Sequence, residues 1–279
     1  MSVDTADHGR LVVLPRSPTV ARAVSSMVGY RMPPQFGVHR GLPSPYLTLV
    51  FPLSGPLAIE IPFGRSQPPT EYAIPVGGLH TRPVLLPQSP GPTRPGRQRG
   101  IQLAVHPFAA RALFGLPAVD ITGEVLELSD LVRGSSDVRD QLAEPLDART
   151  ALGVVGGWLD RRLHDQPAAT VPAELERAWQ LIVGSGGRRR IGDVAKDVGW
   201  SRRHLTARLR AETGLSAKDL ARVSRFQRSR SMIAATRPAL AGVAADCGYA
   251  DQSHLCAEWR EFADCTPTQW IAAELPATS

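Results

Sequence analysis

Arginine dominates the chemistry available to this chain. Residues 188–237 hold 14 Lys and Arg against 4 Asp and Glu, whereas residues 1–187 hold 17 against 16 and residues 238–279 hold 1 against 6. A guanidinium is planar and presents two parallel donors, so it grips phosphate oxygens and the O6/N7 edge of guanine in the same bidentate way. Within the basic block, Arg202, Arg203, Thr206, Ala207 and Arg210 are spaced to lie on one side of a helix, opposite Leu205 and Leu209. A basic stretch of this length inside a near-neutral chain points to a polyanion partner, nucleic acid first, with a solvated arginine-rich helix face as the plain alternative.

The elements that must hold these side chains occur twice. Ile191, Val194, Ala195, Gly199 and Trp200 match Leu240, Val243, Ala244, Gly248 and Tyr249 at one offset. One residue further on, Leu205, Leu209 and Gly214-Leu215-Ser216 match Leu255, Trp259 and Asp264-Cys265-Thr266. Each copy has the pattern of a helix-turn-helix. A short helix packs through Val-Ala, and Gly makes the turn, where a positive φ costs little. An aromatic side chain supports the turn, and Ser201 or Asp251 can cap the second helix. Two apolar residues four apart then bury that helix, which ends at Gly214 or Asp264. Thr266-Pro267 starts a final helix. Residues 217–235 read as one arginine-rich helix of roughly 28 Å, with Leu220, Val223, Phe226 or Gln227, and Ile233 inward. A rod of that length can hold two recognition helices near the ~34 Å repeat of the duplex.

VAKDVGWSRRHL, RFQRSRSMI and VAADCGYADQSHLCAEWREFADCTPTQW together resemble the DNA-binding domain of AraC/XylS-type transcriptional regulators, over about residues 172–273. The resemblance implies that the first recognition helix enters the major groove of double-stranded DNA with Arg202, Arg203, Thr206, Ala207 and Arg210 outward. Arg203 is then the first candidate for a base contact, and Arg202 and Arg210 suit either a base or a phosphate. Arg188, Arg189 and Arg190, before the first helix, suit the phosphate backbone, which positions without specifying. The second unit departs from the family pattern. Its exposed face offers Gln252, Ser253, Cys256 and Ala257, with Glu258 and Glu261 nearby, and carboxylates repel phosphates. That unit is expected to contact DNA weakly, or through Gln252, Ser253, His254 and the start of its helix. The expected reader is asymmetric, with most affinity in residues 188–237.

The first half is rich in Pro and Gly. Short β-type runs fall at 46–53, 56–62, 73–78, 82–87 and 100–105, and Ser54-Gly55 can turn the chain. Helices are expected at 106–115, entered through Pro107 and ended by Gly115, and at 137–146, 148–164 and 173–183. The whole reads as α+β: a β-rich, cupin-like or sandwich domain with trailing helices over 1–166, and an all-α domain over 167–279. The latter has helix-turn-helix units at about 191–214 and 240–264. HRGLPSPYLTLVFPLSG and GGLHTRP, with GIQLAVHPFAARALFGLPA, look like the N-terminal part of actinobacterial members of the same family, which implies a sensor domain but names no ligand.

Other chemistry is sparse. His39, His80 and His106 are scattered, with Glu60 and Glu71 between them and no HxH, so no metal site is expected. No GxSxG, GxGxxG or P-loop occurs, and no catalytic residue or cofactor is assigned. The glycines of 153–157 suggest close helix packing. Cys247, Cys256 and Cys265 form no CxxC; small buried or half-buried thiols are the plain reading and a redox switch the alternative. No apolar run spans a membrane and no signal peptide is visible, so the cytoplasm is expected. The reading is a sequence-specific transcriptional regulator under a small effector, with a homodimer possible and RNA polymerase a partner if it activates. The competing reading is an enzyme or covalent sensor fused to a DNA-targeting domain, which would need convergent ionisable groups in one pocket.

Overall fold

Alternation along Leu47–Pro52, with Leu47, Leu49 and Phe51 fully buried and Thr48 and Val50 only partly so, makes this strand two-faced. It lies at the centre of the first half. The structure, a computed structural model, describes residues 16–31, 37–61, 69–88, 98–144, 146–165 and 171–275. A short helix, α1 (Pro18–Ala23), leads into β1 (Val24–Arg31). Then follow β2 (Gly37–Gly41), β3 (Leu47–Pro52), β4 (Leu57–Ile59), β5 (Thr70–Tyr72), β6 (Pro75–Gly77), β7 (Val84–Gln88) and β8 (Arg99–Val105). Helix α2 (Ala110–Phe114) ends at Gly115 with φ +81°, as its sequence requires. Beyond it come β9 (Val125–Glu127), α3 (Leu128–Leu131), α4 (Ser136–Ala143) and α5 (Ala148–Asp165).

The main sheet is antiparallel in the order β1-β8-β3-β6-β9. The pairs β2-β7 and β4-β5 are joined by a bridge between Glu60 and Leu85, forming a second layer. Val50 of the main sheet packs with Leu57, Ile59, Val84 and Leu86 of that layer. The first half is therefore the sandwich form of the expected β-rich domain. The other face of the main sheet packs on the helices through Leu49, Phe51, Leu103, Leu113, Leu152 and Leu159. The five expected strands are present. Strand β1 was not expected, because Ser25, Ser26 and Gly29 blur its alternation, yet it pairs with β8 along its length. The helix expected over 137–146 stops at Ala143. The close packing expected at the α5 glycines is absent: a methyl on Gly153 would meet nothing within 4 Å, and one on Gly156 would reach Met27 at 3.9 Å.

The second half is helical throughout: α6 (Ala173–Gly184), α7 (Ile191–Asp197), α8 (Arg202–Thr213), α9 (Ala217–Thr236), α10 (Leu240–Cys247), α11 (Gln252–Ala263) and α12 (Pro267–Glu274). The repeat is reproduced down to its caps. Ser201 and Asp251 accept from the backbone N–H of His204 and His254, at 3.1 and 2.7 Å. Gly199 and Gly248 turn at φ +72° and +79°, and the C-caps Gly214 and Asp264 are both left-handed. Helix α9 belongs to two cores. Ala217, Leu220 and Ala221 pack with Trp179, Leu205 and Leu209 of the first unit. Val223, Phe226 and Ile233 pack with Leu255, Trp259 and Phe262 of the second.

The two halves are packed on each other. Leu215 enters the core of the first half, and Thr122 Oγ1 donates to the Thr213 carbonyl at 2.8 Å, against the end of α8. Arg111 pairs with Glu212 at 3.3 Å. Tyr46, His106 and Phe108 surround Trp179, with the His106 ring centroid 4.1 Å from it. At the far end His39 Nδ1 lies 2.8 Å from Glu274 Oε2, and the Arg40 amide donates to Glu274 Oε1 at 3.3 Å. The linker expected over 165–172 falls largely on residues 166–170, outside the described residues.

Candidate nucleic-acid interface

Helix α8 presents Arg202, Arg203, Ala207 and Arg210 to solvent and half-buries Thr206, while Leu205 and Leu209 are fully buried. The expected outward face is therefore formed, and no salt bridge among the described residues engages Arg202, Arg203 or Arg210. Helix α11 likewise exposes Gln252, Ser253 and His254 in its first turn. His254 is the most constrained of the three. Its Nδ1 accepts from the Ala250 amide at 3.3 Å and its ring meets Tyr249 edge-on at 5.3 Å. The first unit repeats this contact as Trp200 against His204 at 4.7 Å, a pairing the sequence repeat contains but that side-chain type alone did not mark. These histidines staple each turn to its recognition helix, which leaves Nε2 as the atom of His254 open to a ligand.

The carboxylates of the second unit are placed differently from the sequence expectation. Glu258 is buried at 4% exposure rather than lying near the outer face, and Glu261 is held from its side. Arg222 of α9 donates from Nε to Glu258 Oε1 at 2.8 Å and from Nη1 to Glu261 Oε1 at 3.0 Å. The Glu261 hydrogen bond comes first in pushing the Arg222 guanidinium above its ordinary range, and the same bond lowers the Glu261 carboxyl. Because the pair shares a cation, its repulsion of phosphate is much weaker than two free carboxylates would exert. Arg222 also lies over the Phe262 ring at 4.8 Å, and Arg225 over Tyr249 at 5.4 Å.

A cavity of about 900 Å³ lies between the two sheets of the first half and extends to the second half. Val28, Val50, Leu57 and Ile59 line its apolar end; Arg40, Gln227, Arg228 and Met232 line the end against α9. Arg40 Nε and Arg228 Nε are buried there without a hydrogen-bond partner among the described residues. No sequence signal marked this site, because its walls come from strand faces and from a helix some 180 residues further along the chain. His39 is engaged with Glu274. Burial alone would raise the Glu274 carboxyl, but the His39 hydrogen bond and charge outweigh it and hold the group below its ordinary value. His80 Nδ1 donates to the Arg82 carbonyl, and His106 lies in the aromatic cluster. Among the described residues no group of three or more His, Cys, Asp and Glu is placed to hold a metal ion. Cys247 and Cys265 are buried and Cys256 half-buried, none in a disulfide.

Residues 194–273 match the family model described as a helix-turn-helix domain. Among solved structures the chain is similar to ToxT from Vibrio cholerae O395, at 14% identity and a TM-score of 0.55, covering 92% of this chain and 100% of that one. It is similar also to unsaturated fatty acid bound wild-type ToxT from Vibrio cholerae strain SCE256, at 14% identity and a TM-score of 0.53, covering 91% and 96%. A transcriptional regulator from Chromobacterium violaceum, one of the proteins that contain an AraC-type DNA-binding domain, is similar at 22% identity over 38% of this chain and 95% of that one, with a TM-score of 0.35. No curated protein matches the chain. Residues 194–273 therefore form a helix-turn-helix domain, and the chain has overall the fold of ToxT.

Proposed function

We propose that this protein is a sequence-specific DNA-binding transcriptional regulator of the cytoplasm, and that a small amphipathic anion bound between its two halves sets its affinity for DNA. The observation that carries the reading is that α9, which joins both helix-turn-helix units, forms one wall of the 900 Å³ cavity. A ligand in contact with Gln227, Arg228 and Met232 acts on the helix that sets the distance and angle between the recognition helices. If it binds one arrangement better than another, it shifts the population toward that arrangement. The cavity's apolar end suits a hydrocarbon body, and Arg40 and Arg228 suit an anionic head. The fatty acid in the ToxT structure supports that ligand class.

Base contacts are assigned to Arg203 first, with Arg202, Thr206 and Arg210 on base edges or phosphates. Gln252, Ser253 and His254 form the lesser contact of the second unit. Pairing of two chains, and recruitment of RNA polymerase if the output is activation, complete the proposal. The test is capture of sheared genomic DNA by the full-length protein, followed by sequencing, with and without medium- and long-chain fatty acids. An enriched motif with two half-sites about one helical turn apart is expected, and its yield should change with the acid. Capture that stays unselective under every condition would overturn the reading.

A further inference from the structure

A second concavity, of about 560 Å³, lies between the two helix-turn-helix units. Its walls are the loop Gly187–Arg190, the first half of α9, and the side of α11 that carries His254, Glu258 and Glu261. The loop is seated firmly. Gly187, at φ +71°, lies so close to α9 that a methyl there would fall 1.9 Å from the Ala221 carbonyl oxygen, and the Gly187 amide donates to the Ile182 carbonyl at 2.9 Å. The Arg188 stem rests against Gly248, in the turn of the second unit.

Six Lys and Arg side chains line this cleft with two carboxylates. Arg222 pairs with both carboxylates, with Glu258 through Oε1 alone while Glu258 Oε2 is buried without a hydrogen-bond partner among the described residues, and Arg189 is paired with Asp197. Arg188, Arg190, Lys218 and Arg225 then have no carboxylate partner among the described residues; Arg188 Nε donates instead to the Ser185 carbonyl at 3.2 Å, and Arg225 Nε is buried without a hydrogen-bond acceptor. Like charges gathered in a concave, partly desolvated site repel, and an anion that enters relieves the repulsion. Cationic donors arrive from two walls, Arg190 from the loop and Lys218 and Arg225 from α9, so they can reach different oxygens of one tetrahedral oxyanion.

We propose that the cleft between the two helix-turn-helix units is a seat for a single phosphate group, held jointly by Arg190, Lys218 and Arg225. The phosphate comes from the DNA backbone between the two half-sites or from a soluble phosphoester; the first source rests on the regulator reading above. A phosphate there ties the loop of the first unit to the first half of α9, the helix that joins the two units, and so holds the loop against that helix. Helix α9 turns Lys218, Arg222 and Arg225 to this cleft and Gln227, Arg228 and Ser231 to the effector cavity. Occupancy of the two sites is therefore linked through one helix, and the linkage is reciprocal.

The test uses the full-length protein and the variants Arg190→Gln, Lys218→Gln, the double variant, and Arg177→Gln, an exposed charge on α6 away from the cleft. The slope of log affinity against log salt is measured on a 30-base-pair duplex by fluorescence anisotropy. Melting temperature is measured with inorganic pyrophosphate at matched ionic strength. One shared backbone phosphate lowers the slope by about 0.9 in each cleft single variant and by no more in the double, with Arg177→Gln unchanged. A soluble source instead leaves the slopes alone, while pyrophosphate raises the wild-type melting temperature by about 2 °C or more and the double variant's not at all. The seat is overturned if neither effect occurs, or if the double variant loses about twice what each single loses and pyrophosphate does nothing. Failure to bind any duplex counts against the regulator reading instead, and the pyrophosphate arm then decides the seat by itself.

Discussion

Acid should weaken the junction between the two halves, with His106 responsible for a calculable share. Its ring lies against Trp179 at 4.1 Å, Phe108 at 5.1 Å and Tyr46 at 6.5 Å, and Nδ1 accepts from the Phe108 amide at 3.4 Å. A proton on Nδ1 would face that N–H donor, and the charge would be enclosed by rings. Burial accordingly lowers the pKa from 6.5 to about 4. The folded state thus resists a proton that the unfolded chain accepts, and between about pH 4 and 6.5 the unfolded chain binds more protons. The stability contributed by neutral His106 is complete above pH 6.5 and is lost as pH falls toward 4. From these two pKa values the loss is about 2 kcal/mol at pH 5 and about 3 kcal/mol at pH 4. His106→Phe keeps a ring in the cluster but cannot titrate; losing the cap on the following turn costs it about 1 kcal/mol at every pH. Urea unfolding of both proteins, followed by circular dichroism at pH 7, 6, 5 and 4, isolates the term. Wild type should lose about 2–3 kcal/mol more than the variant between pH 7 and pH 4. Parallel profiles would refute the assignment of this pH dependence to the buried imidazole.

Arg203→Ala should weaken binding to the captured motif at least about tenfold, equivalent to one bidentate base contact, with Arg260→Ala costing less; equal losses in a gel-shift titration would sink the asymmetric reader. Gly187→Ala sets a methyl 1.9 Å from a backbone oxygen at φ +71°, so a loss of about 2–3 kcal/mol in thermal or urea unfolding is expected. A wild-type-like melting curve would show that the loop is not seated on α9. Trp259 is fully buried between Phe226 and Trp270, and its Nε1 donates to Ser229 Oγ at 2.9 Å. Trp259→Ala should cost about 3–5 kcal/mol, and a loss below about 1 kcal/mol would mean that the second unit has a weaker core than its packing indicates.

The DNA-binding half was legible because its signals are short-range. A cap is a hydrogen bond across three residues, a left-handed turn is a property of one glycine, and an inward face is a spacing of four. Ser201, Asp251, Gly199, Gly248, Leu205 and Leu255 could therefore be assigned from neighbours alone, and the repeat checked each assignment with a second copy. The outward Arg203 and Arg210 of helix α8 follow from the same periodicity, while Arg202, three residues before Leu205, is exposed because it begins the helix. Charge could not be read that way. Glu258 stands three residues after Leu255 and four before Phe262, the spacing of the buried face, but that spacing does not reveal the cation that meets it there, Arg222, 36 positions earlier. Strand β1 was hidden because a strand with Ser and Gly on its faces is recognisable only beside its partner, here β8. His39 and Glu274, 235 positions apart, became a pair only when the first sheet packed against the last helix. The effector cavity and the phosphate seat belong to this second class. Each is a space between elements, and its shape and charge come from how separate surfaces pack, which local hydrogen bonding and periodicity do not encode.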